Sequence, residues 1–328
     1  MVVKRRLDLK VGFLCNNRCR FCVQGDKRYR YGEKTKEQVM RELKEAREKG
    51  IREVVFTGGE PTIHPNIIEL VKYASELGYK RIQIQTNGRT LAVKGFVDAL
   101  VEAGANEFSP ALHGHIPQLH DFLTRSPGSW RQTVRGIKNV KEYGLPVITN
   151  TVVTKPNYRF LGSIAELLVK LGVDQYQFAF VHALGEAWKN FDSIVPRISL
   201  AAPYIHTGLQ VGIDAGIPVM AEAMPFCLMP GYEPYVSELY IPPAIIYDAN
   251  FVVEKYEKWR VTEGKLKREE CKKCKFYRIC EGPWREYPER RGWDEFVPVP
   301  GDYVTRDEVL KKKFEESLIS KVRFSDYL

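Results

Sequence analysis

A pattern of helix, glycine and strand recurs along the first two thirds of the chain. Residues 35–49 form a predicted amphipathic helix that begins at a capping box of Thr35 and Gln38. Gly50 supplies the left-handed residue that ends this helix, and residues 54–56 follow as a short apolar strand. The order returns at Gly78 before 82–85, Gly104 before 107–112, Gly144 before 147–153, Gly172 before 175–180, and Gly216 before 218–221.

This alternation constrains the fold class. With an opening strand at about 7–13, it predicts six βα units over roughly residues 5–215. Strands that alternate with helices form a parallel sheet with right-handed crossovers. We therefore expect an α/β fold, and the pattern leaves open whether the sheet closes into a barrel. In either form, functional residues belong where strands end and helices begin.

Unusual residues occupy those strand ends. They are Cys15, Cys19 and Cys22 after the first strand, Gly58 to Pro61 after the second, Asn87 after the third, His113 and Gly114 after the fourth, and Asn150 within the fifth.

After Met224 the periodic pattern stops. Prolines and tyrosines become frequent, and Cys271, Cys274 and Cys280 follow closely. We expect a core domain over residues 1–222 and a smaller, irregular domain over 223–328. A last helix is predicted from Asp307 to about Val322, with Thr305 and Glu308 as its capping box.

The cysteines exclude some classes of protein. There are seven, an odd number at tight spacings, and no apolar segment typical of a signal peptide follows the charged residues 1–10. Disulfides are therefore a poor explanation, although a hyperthermophile, which the Lys- and Glu-rich composition suggests, could contain them. No run of eighteen apolar residues occurs, so no membrane span is expected. These features favour a cytoplasmic, metal-binding protein.

The first cysteine set has the spacing C-x3-C-x2-C, formed by Cys15, Cys19 and Cys22. Three thiolates this close suit a cuboidal iron–sulfur cluster that leaves one iron open. An open iron can bind a substrate, as an open zinc position does. A zinc site that lacks its fourth ligand is the alternative.

This array resembles the signature of the radical S-adenosylmethionine (radical SAM) enzymes. It reads Cys15-Asn-Asn-Arg-Cys19-Arg-Phe-Cys22, with aromatic Phe21 before the third cysteine. The next strand ends in Gly58-Gly59-Glu60-Pro61, which resembles the family's GGEP motif. The resemblance covers about residues 7–222 and implies a partial (β/α)6 TIM-like barrel, in agreement with the number of βα units.

The resemblance also implies cofactors. The three thiolates would hold a [4Fe–4S] cluster whose open iron is chelated by the methionine part of S-adenosylmethionine (SAM). One electron from the cluster would then cleave SAM into methionine and a 5′-deoxyadenosyl radical. The GGEP residues would contact the SAM amino group, and Phe21 would lie near the adenine. Asn87 and Asn150 are at positions suited either to SAM contacts or to fixing loops.

A second family resemblance lies in the C-terminal region. The spacing Cys271-x2-Cys274-x5-Cys280 resembles the centre of SPASM domains, and Cys227 could supply a fourth thiolate. Four thiolates complete one closed [4Fe–4S] cluster, as in the shortened, twitch-type auxiliary domain. A structural zinc site is the alternative.

One block departs from its family pattern. Residues 111–114 read Ala-Leu-His-Gly, where the SPASM branch usually has Ser-Leu-Asp-Gly. His113 and His115 could act on a substrate proton or hydrogen-bond a ribose, or they could simply hold the loop. The departure affects the substrate assignment and leaves the core chemistry unchanged.

These features predict an enzyme that abstracts a hydrogen atom from a peptide or small metabolite for oxidation, crosslinking or rearrangement. Ferredoxin or flavodoxin is the expected electron donor. The net charge of +9 and the lysines at 311–313 raise RNA modification as an alternative. An iron–sulfur or SAM-binding module without catalysis is the alternative from another class.

Overall fold

A computed structural model describes residues 5–25 and 27–311. The strands are β1 (Arg6–Lys10), β2 (Glu53–Thr57), β3 (Arg81–Thr86), β4 (Glu107–Pro110), β5 (Ile148–Val153), β6 (Gln175–Phe180), β7 (Val219–Glu222), β8 (Ala244–Tyr247) and β9 (Val252–Val253). The helices are α1 (Lys27–Arg30), α2 (Lys36–Glu48), α3 (Ile67–Glu76), α4 (Lys94–Glu102), α5 (Pro117–Thr124), α6 (Ser129–Lys141), α7 (Leu161–Lys170), α8 (Glu186–Lys189), α9 (Phe191–Ile194), α10 (Ile198–Asp214), α11 (Tyr256–Trp259) and α12 (Glu286–Arg291).

The strands form one curved, mostly parallel surface. β4, β3, β2, β1 and β8 pair in that order, all parallel, and β9 adds an antiparallel edge to β8. β5, β6 and β7 form a second parallel sheet. Single bridges from Phe108 to Val147 and from Ala111 to Asn150 join β4 to β5. Among the described residues β7 does not pair with β8, so the barrel is open on that side.

The predicted α/β fold is confirmed as a partial TIM-like barrel. Each of the strands β1 to β6 is followed by at least one helix before the next strand begins, as the six predicted βα units require. All six glycines that precede the predicted strands have positive φ. β1 ends at Lys10 and not at Phe13, because the Phe13 N–H donates to the Gly32 carbonyl (2.8 Å) and the chain turns away from the sheet.

The two faces of the sheet have different surroundings. On β6, the Tyr176 hydroxyl donates to the Gly208 carbonyl of α10 (2.6 Å), and Phe178 packs against the same glycine. Because side chains alternate along a strand, Gln177 between them faces the barrel interior. The same alternation directs Glu222 of β7 inward, since Val219 packs on α10.

The C-terminal region returns to the first sheet. β8 pairs in parallel with β1, with Ala244 opposite Arg6 and Ile245 opposite Leu7. A strand from the segment predicted as a second domain therefore completes the sheet of the first. The boundary at residues 222 and 223 stays a prediction.

The predicted capping box at the last helix is present. The backbone N–H and hydroxyl of Thr305 both donate to the Glu308 carboxylate (2.6 and 2.8 Å), and the Glu308 N–H donates back (3.3 Å). The helix begins at residue 306, and its predicted end near 322 lies outside the described residues. Within the described ranges, no helix combines the length and apolar character needed to cross a membrane.

Candidate functional site

The first cysteine set lies on the loop after β1, at the mouth of the barrel. All seven cysteines of the chain are free thiols. The loop is pinned to the end of α5, where the Arg18 and Arg20 N–H groups donate to the carbonyls of Thr124 and Leu123 (both 2.9 Å). These two hydrogen bonds fix the backbone on either side of Cys19 against the end of α5.

The three thiols of this set lie close enough to influence one another. Burial raises the pKa of Cys15 to about 11, and the nearby Glu60 carboxylate adds to the rise. Burial also raises the pKa of Cys19 well above its usual value, with further contributions from Cys22 and Cys15. A metal centre deprotonates such thiols on binding, because its positive charge stabilises the thiolates. Clustered, partly buried thiols of this kind fit an iron–sulfur cluster.

The glycine pair after β2 packs against the cysteine loop. The Gly59 N–H donates to the Gly12 carbonyl (2.9 Å), and the Glu60 N–H donates to the Leu14 carbonyl (2.8 Å). A Cβ at Gly58 would lie 2.2 Å from the Gly12 oxygen, and one at Gly59 would lie 2.1 Å from the Leu14 oxygen. The two glycines therefore allow the backbone that leads into Cys15 to pass.

The Glu60 carboxylate braces the ends of β2 and β3. It accepts hydrogen bonds from the Thr62 N–H (3.0 Å) and hydroxyl (2.6 Å), the Thr86 hydroxyl (2.6 Å) and the Asn87 N–H (2.6 Å). Burial raises the pKa of Glu60, while these hydrogen bonds act in the opposite direction. Pro61 then opens a short 3₁₀ turn. In this structure the Glu60 side chain holds neighbouring loops together.

Asn87 connects β3 to the cysteine loop. Its side-chain amide donates to the Asn16 side chain (2.6 Å) and lies 3.8 Å from the Cys15 sulfur. Its backbone carbonyl accepts from the Thr133 hydroxyl (2.8 Å). The predicted motif residues after β1, β2 and β3 thus come together at one place.

Phe21 forms part of a buried aromatic wall. Its ring lies 4.7 Å from that of His113, edge to face. The His113 Nδ1 accepts from the Val152 N–H (3.2 Å), and the His120 Nδ1 accepts from the His113 N–H (3.1 Å). Burial lowers the pKa of both histidines. They are neutral and hold the loop after β4, while His115 lies beside Phe160.

Asn150 presents an unused acceptor. Its side-chain oxygen is buried and has no hydrogen-bond partner among the described residues. Gln177 lies opposite Asn150 in the register of β5 and β6, and it donates to the Glu222 carboxylate (2.6 Å). Sequence analysis missed Gln177 and Glu222, although a polar residue inside an otherwise apolar strand was a signal.

His182, which the sequence analysis did not predict as a site residue, lies at the barrel mouth. The His182 Nε2 lies 3.0 Å from a Glu286 carboxylate oxygen, and its ring stacks on Trp284 at 4.0 Å. The following loop meets the cysteine loop, because the Glu186 N–H donates to the Cys22 carbonyl (2.9 Å). His182 therefore joins the barrel mouth to the C-terminal segment.

The second cysteine set lines one cavity. All four thiols face this cavity: Cys227, Cys271, Cys274 and Cys280. Its wall also contains Trp293, Phe296 and three prolines. Burial raises the pKa of Cys227 to about 12, with contributions from the other three thiols. The structure thus brings the remote Cys227 to the three cysteines that are close in sequence.

A single metal ion needs its ligands close together. Around one zinc ion, sulfur ligands at 2.3 Å lie about 3.8 Å from each other. In residues 5–25 and 27–311, no three Cys, His, Asp or Glu side chains converge in a way that would hold one ion. A four-iron cluster holds its cysteine sulfurs further apart than a single ion does, because each sulfur binds a different corner of the cluster.

Comparison with known proteins identifies the family of this fold. A model of the radical SAM superfamily matches residues 9–168, which include the first cysteine set and the GGEP turn. Residues 9–168 are a radical SAM domain. Radical SAM proteins carry a [4Fe–4S] cluster and bind SAM, and the residues gathered at the barrel mouth fit that pair of cofactors.

Two curated relatives match about half of the chain. A probable GTP 3′,8-cyclase from Saccharolobus islandicus is 30% identical over 181 residues, which are 55% of this chain and 58% of the relative. An AdoMet-dependent heme synthase from Oleidesulfovibrio alaskensis is 29% identical over 174 residues, 53% of this chain and 44% of the relative. The matched region thus spans less than two thirds of either relative.

The solved structures share the fold at low identity. Streptococcus suis SuiB bound to S-adenosylmethionine aligns with a TM-score of 0.65 at 16% identity, over 90% of this chain and 76% of SuiB. Native anSMEcpe with bound AdoMet aligns with a TM-score of 0.60 at 17% identity, over 96% and 97% of the two chains. These two structures therefore share the overall fold over most of the chain.

Proposed function

We propose that this protein is an enzyme that cleaves SAM reductively and abstracts a hydrogen atom from a substrate held in the barrel. The convergence of Cys15, the glycine pair and Asn87 at the ends of the first three strands carries this proposal. With a reduced [4Fe–4S] cluster and SAM bound, the chemistry supplied is a 5′-deoxyadenosyl radical.

The protein's own residues position the reactants. Cys15, Cys19 and Cys22 hold three irons and leave one for SAM. Glu60 keeps Asn87 beside the cysteine loop through its backbone hydrogen bond (2.6 Å). The unpartnered Asn150 oxygen offers an acceptor from β5. The family resemblance assigns Gly58, Gly59 and Glu60 to the SAM amino group, and Glu60 also acts through its neighbours as a brace.

The second cysteine set is proposed to hold a closed [4Fe–4S] cluster of twitch type. One buried and three half-buried thiols in one cavity supply all four ligands, so no iron is left for a substrate. Such a cluster suits electron transfer or structural support. Trp284 and His182 stack between the segment that begins at Cys280 and the barrel mouth, which gives a packed connection between the two sites.

The proposed substrate is a peptide or a small metabolite. Gln177 and Glu222 face the barrel interior, where they can bind a donor group such as an amide or amine. A purine nucleotide is a second candidate, because several relatives are described as probable GTP 3′,8-cyclases. A one-electron donor such as ferredoxin or flavodoxin completes the proposal.

Spectroscopy tests the SAM site. In anaerobically reconstituted, reduced protein, adding SAM should change the electron paramagnetic resonance (EPR) signal of one cluster. The change should be absent in Cys19→Ala, and it should persist in Cys274→Ala, which lies in the other set. If SAM alters no signal of the wild-type protein, the proposed function is wrong.

Incubation with GTP separates the substrate candidates. A purine cyclase should consume GTP in step with 5′-deoxyadenosine formation, with loss of signal from the GTP peak on chromatography. We expect GTP to remain intact if the barrel takes a peptide or another metabolite. Stoichiometric GTP consumption would transfer the assignment to the second candidate.

A further inference from the structure

One lysine lines the four-cysteine cavity without a carboxylate partner. Lys267 and Tyr277 both contribute to the cavity wall. The Lys267 ammonium donates to the Tyr277 backbone carbonyl (2.9 Å) and lies 4.2 Å from the centre of the Tyr277 ring. No acidic side chain of the described chain lies within ion-pair distance of it. Its positive charge is therefore free to act on the cavity.

The neighbouring cations differ in this respect. Lys265 is buried and pairs with Glu238 and with Glu281, the latter at 3.1 Å. Arg260 also pairs with Glu281, at 2.6 Å. Because these two cations are matched by carboxylates, Lys267 is the cation of the described cavity wall that keeps an uncompensated charge, while Lys265 also acts electrostatically on the Cys280 thiol.

A backbone N–H acts on the same centre. The Gly282 N–H points to the Cys280 sulfur at 3.4 Å. Gly282 has a φ of +85°, and a Cβ there would lie 2.1 Å from the Leu266 carbonyl oxygen. Only glycine holds this conformation at that distance, so the turn keeps the N–H directed at the sulfur.

These groups have a predictable effect on an anionic cluster. A [4Fe–4S] centre with four thiolates carries net negative charge, and reduction adds one more negative charge. A nearby cation and N–H donors to sulfur stabilise the reduced form more than the oxidised form. We propose that Lys267, assisted by the Gly282 N–H, raises the reduction potential of the second cluster and so adapts this site for electron transfer. This inference rests on the second cluster of the proposed function.

A potentiometric titration of the full chain tests the role of Lys267. The two clusters are followed by EPR while dithionite lowers the potential, and added SAM identifies the signal of the first cluster. Lys267→Met should shift the midpoint potential of the second cluster to a more negative value, and Lys267→Glu should shift it further. Lys267→Arg, which keeps the charge, should leave it near the wild-type value.

The control is Lys170→Met, an equal change of charge on the exposed end of α7, which should move neither potential. An unchanged second potential in Lys267→Met and Lys267→Glu, with iron content preserved, would overturn the proposal. Wild-type protein with about four irons and one zinc per chain would instead show that the second cluster is wrong, while the SAM-dependent signal would still report the first.

Discussion

Gly59 and His120 show how single residues set the geometry of the barrel mouth. The GGEP glycines were expected to contact the SAM amino group, and the structure adds a packing reason for both. Their missing side chains admit the backbone of the loop that carries Cys15. His120 is fully enclosed and serves as an acceptor for the His113 N–H. Both residues act on the site through the loops they hold.

Gly59→Ala tests the packing role of the glycine pair. The new methyl group would meet the Leu14 carbonyl oxygen at 2.1 Å, so the loop must move. We expect a loss of about 1–3 kcal/mol in unfolding free energy, which is typical of overpacking, together with a lower iron content at the first site. Chemical denaturation and iron analysis measure the two effects.

Gly95→Ala on α4 provides the matched control. A Cβ there meets no atom within 4 Å, so alanine should leave iron binding unchanged and stabilise the helix by about 0.5–1 kcal/mol. Equal behaviour of the two variants would contradict the packing role.

The buried histidines predict a loss of stability in acid. Burial lowers the pKa of His120 to about 3, whereas an unfolded histidine titrates near 6.5. Below pH 6.5 the unfolded chain therefore binds a proton that the folded chain does not bind until about pH 3. The stabilisation is complete above pH 6.5 and falls as the pH drops through this window, by about 1.4 kcal/mol per pH unit for each such histidine.

His120→Asn removes this group while its amide oxygen can still accept the His113 N–H. Its unfolding free energy should depend less steeply on pH between about 3 and 6.5 than that of the wild type. Denaturation series at several pH values give the slopes. Identical slopes in the two proteins would show that His120 is not a buried, neutral side chain in the folded protein.

At the level of elements, β8 covers the strand that leads into the first cysteine set. Ile245 is fully buried and lies opposite Leu7 of β1, whereas Ile246 on the same strand is half-buried. Residues 244–247, from the segment predicted as a second domain, therefore contribute directly to the sheet that carries the site. Two independently stable domains would not be coupled in this way.

Ile245→Ala tests this coupling. Loss of a fully buried isoleucine side chain should cost about 2–5 kcal/mol and lower the single unfolding transition of the whole chain. Ile246→Ala, which removes a less buried side chain from the same strand, should cost less. Calorimetry would contradict the account if Ile245→Ala shifted a separate C-terminal transition and left the main transition unchanged.

Local and long-range features differ in how far the sequence predicts them. The strands after Gly78 and Gly172 were predictable because chain reversal and burial leave a local pattern. Six of the cysteines were predictable as ligands because they lie close together in the sequence, and Cys227 was assigned to the second set only through the family resemblance. The pairing of β8 with β1, and the contact of His182 with Glu286, depend on residues more than 100 positions apart in the chain, and no local pattern encodes them.

At the scale of the whole molecule, the seven cysteines divide into three at the barrel mouth and four in the C-terminal cavity. Each set gathers at its own place in the fold, and every thiol belongs to one of the two sets. Two clusters of four irons predict about eight irons per chain after anaerobic reconstitution. Cys274→Ser should retain about four, and iron analysis measures the difference. A loss of all iron in this variant would contradict two separate centres.

Cys15, Cys19 and Cys22 are proposed to hold the cluster that supplies the electron for SAM cleavage. The most direct test is to quantify 5′-deoxyadenosine after reduced, reconstituted protein is incubated anaerobically with SAM. The wild-type protein should form 5′-deoxyadenosine and methionine, and Cys19→Ala should form neither. Fully reconstituted wild-type protein that forms no 5′-deoxyadenosine would contradict the account.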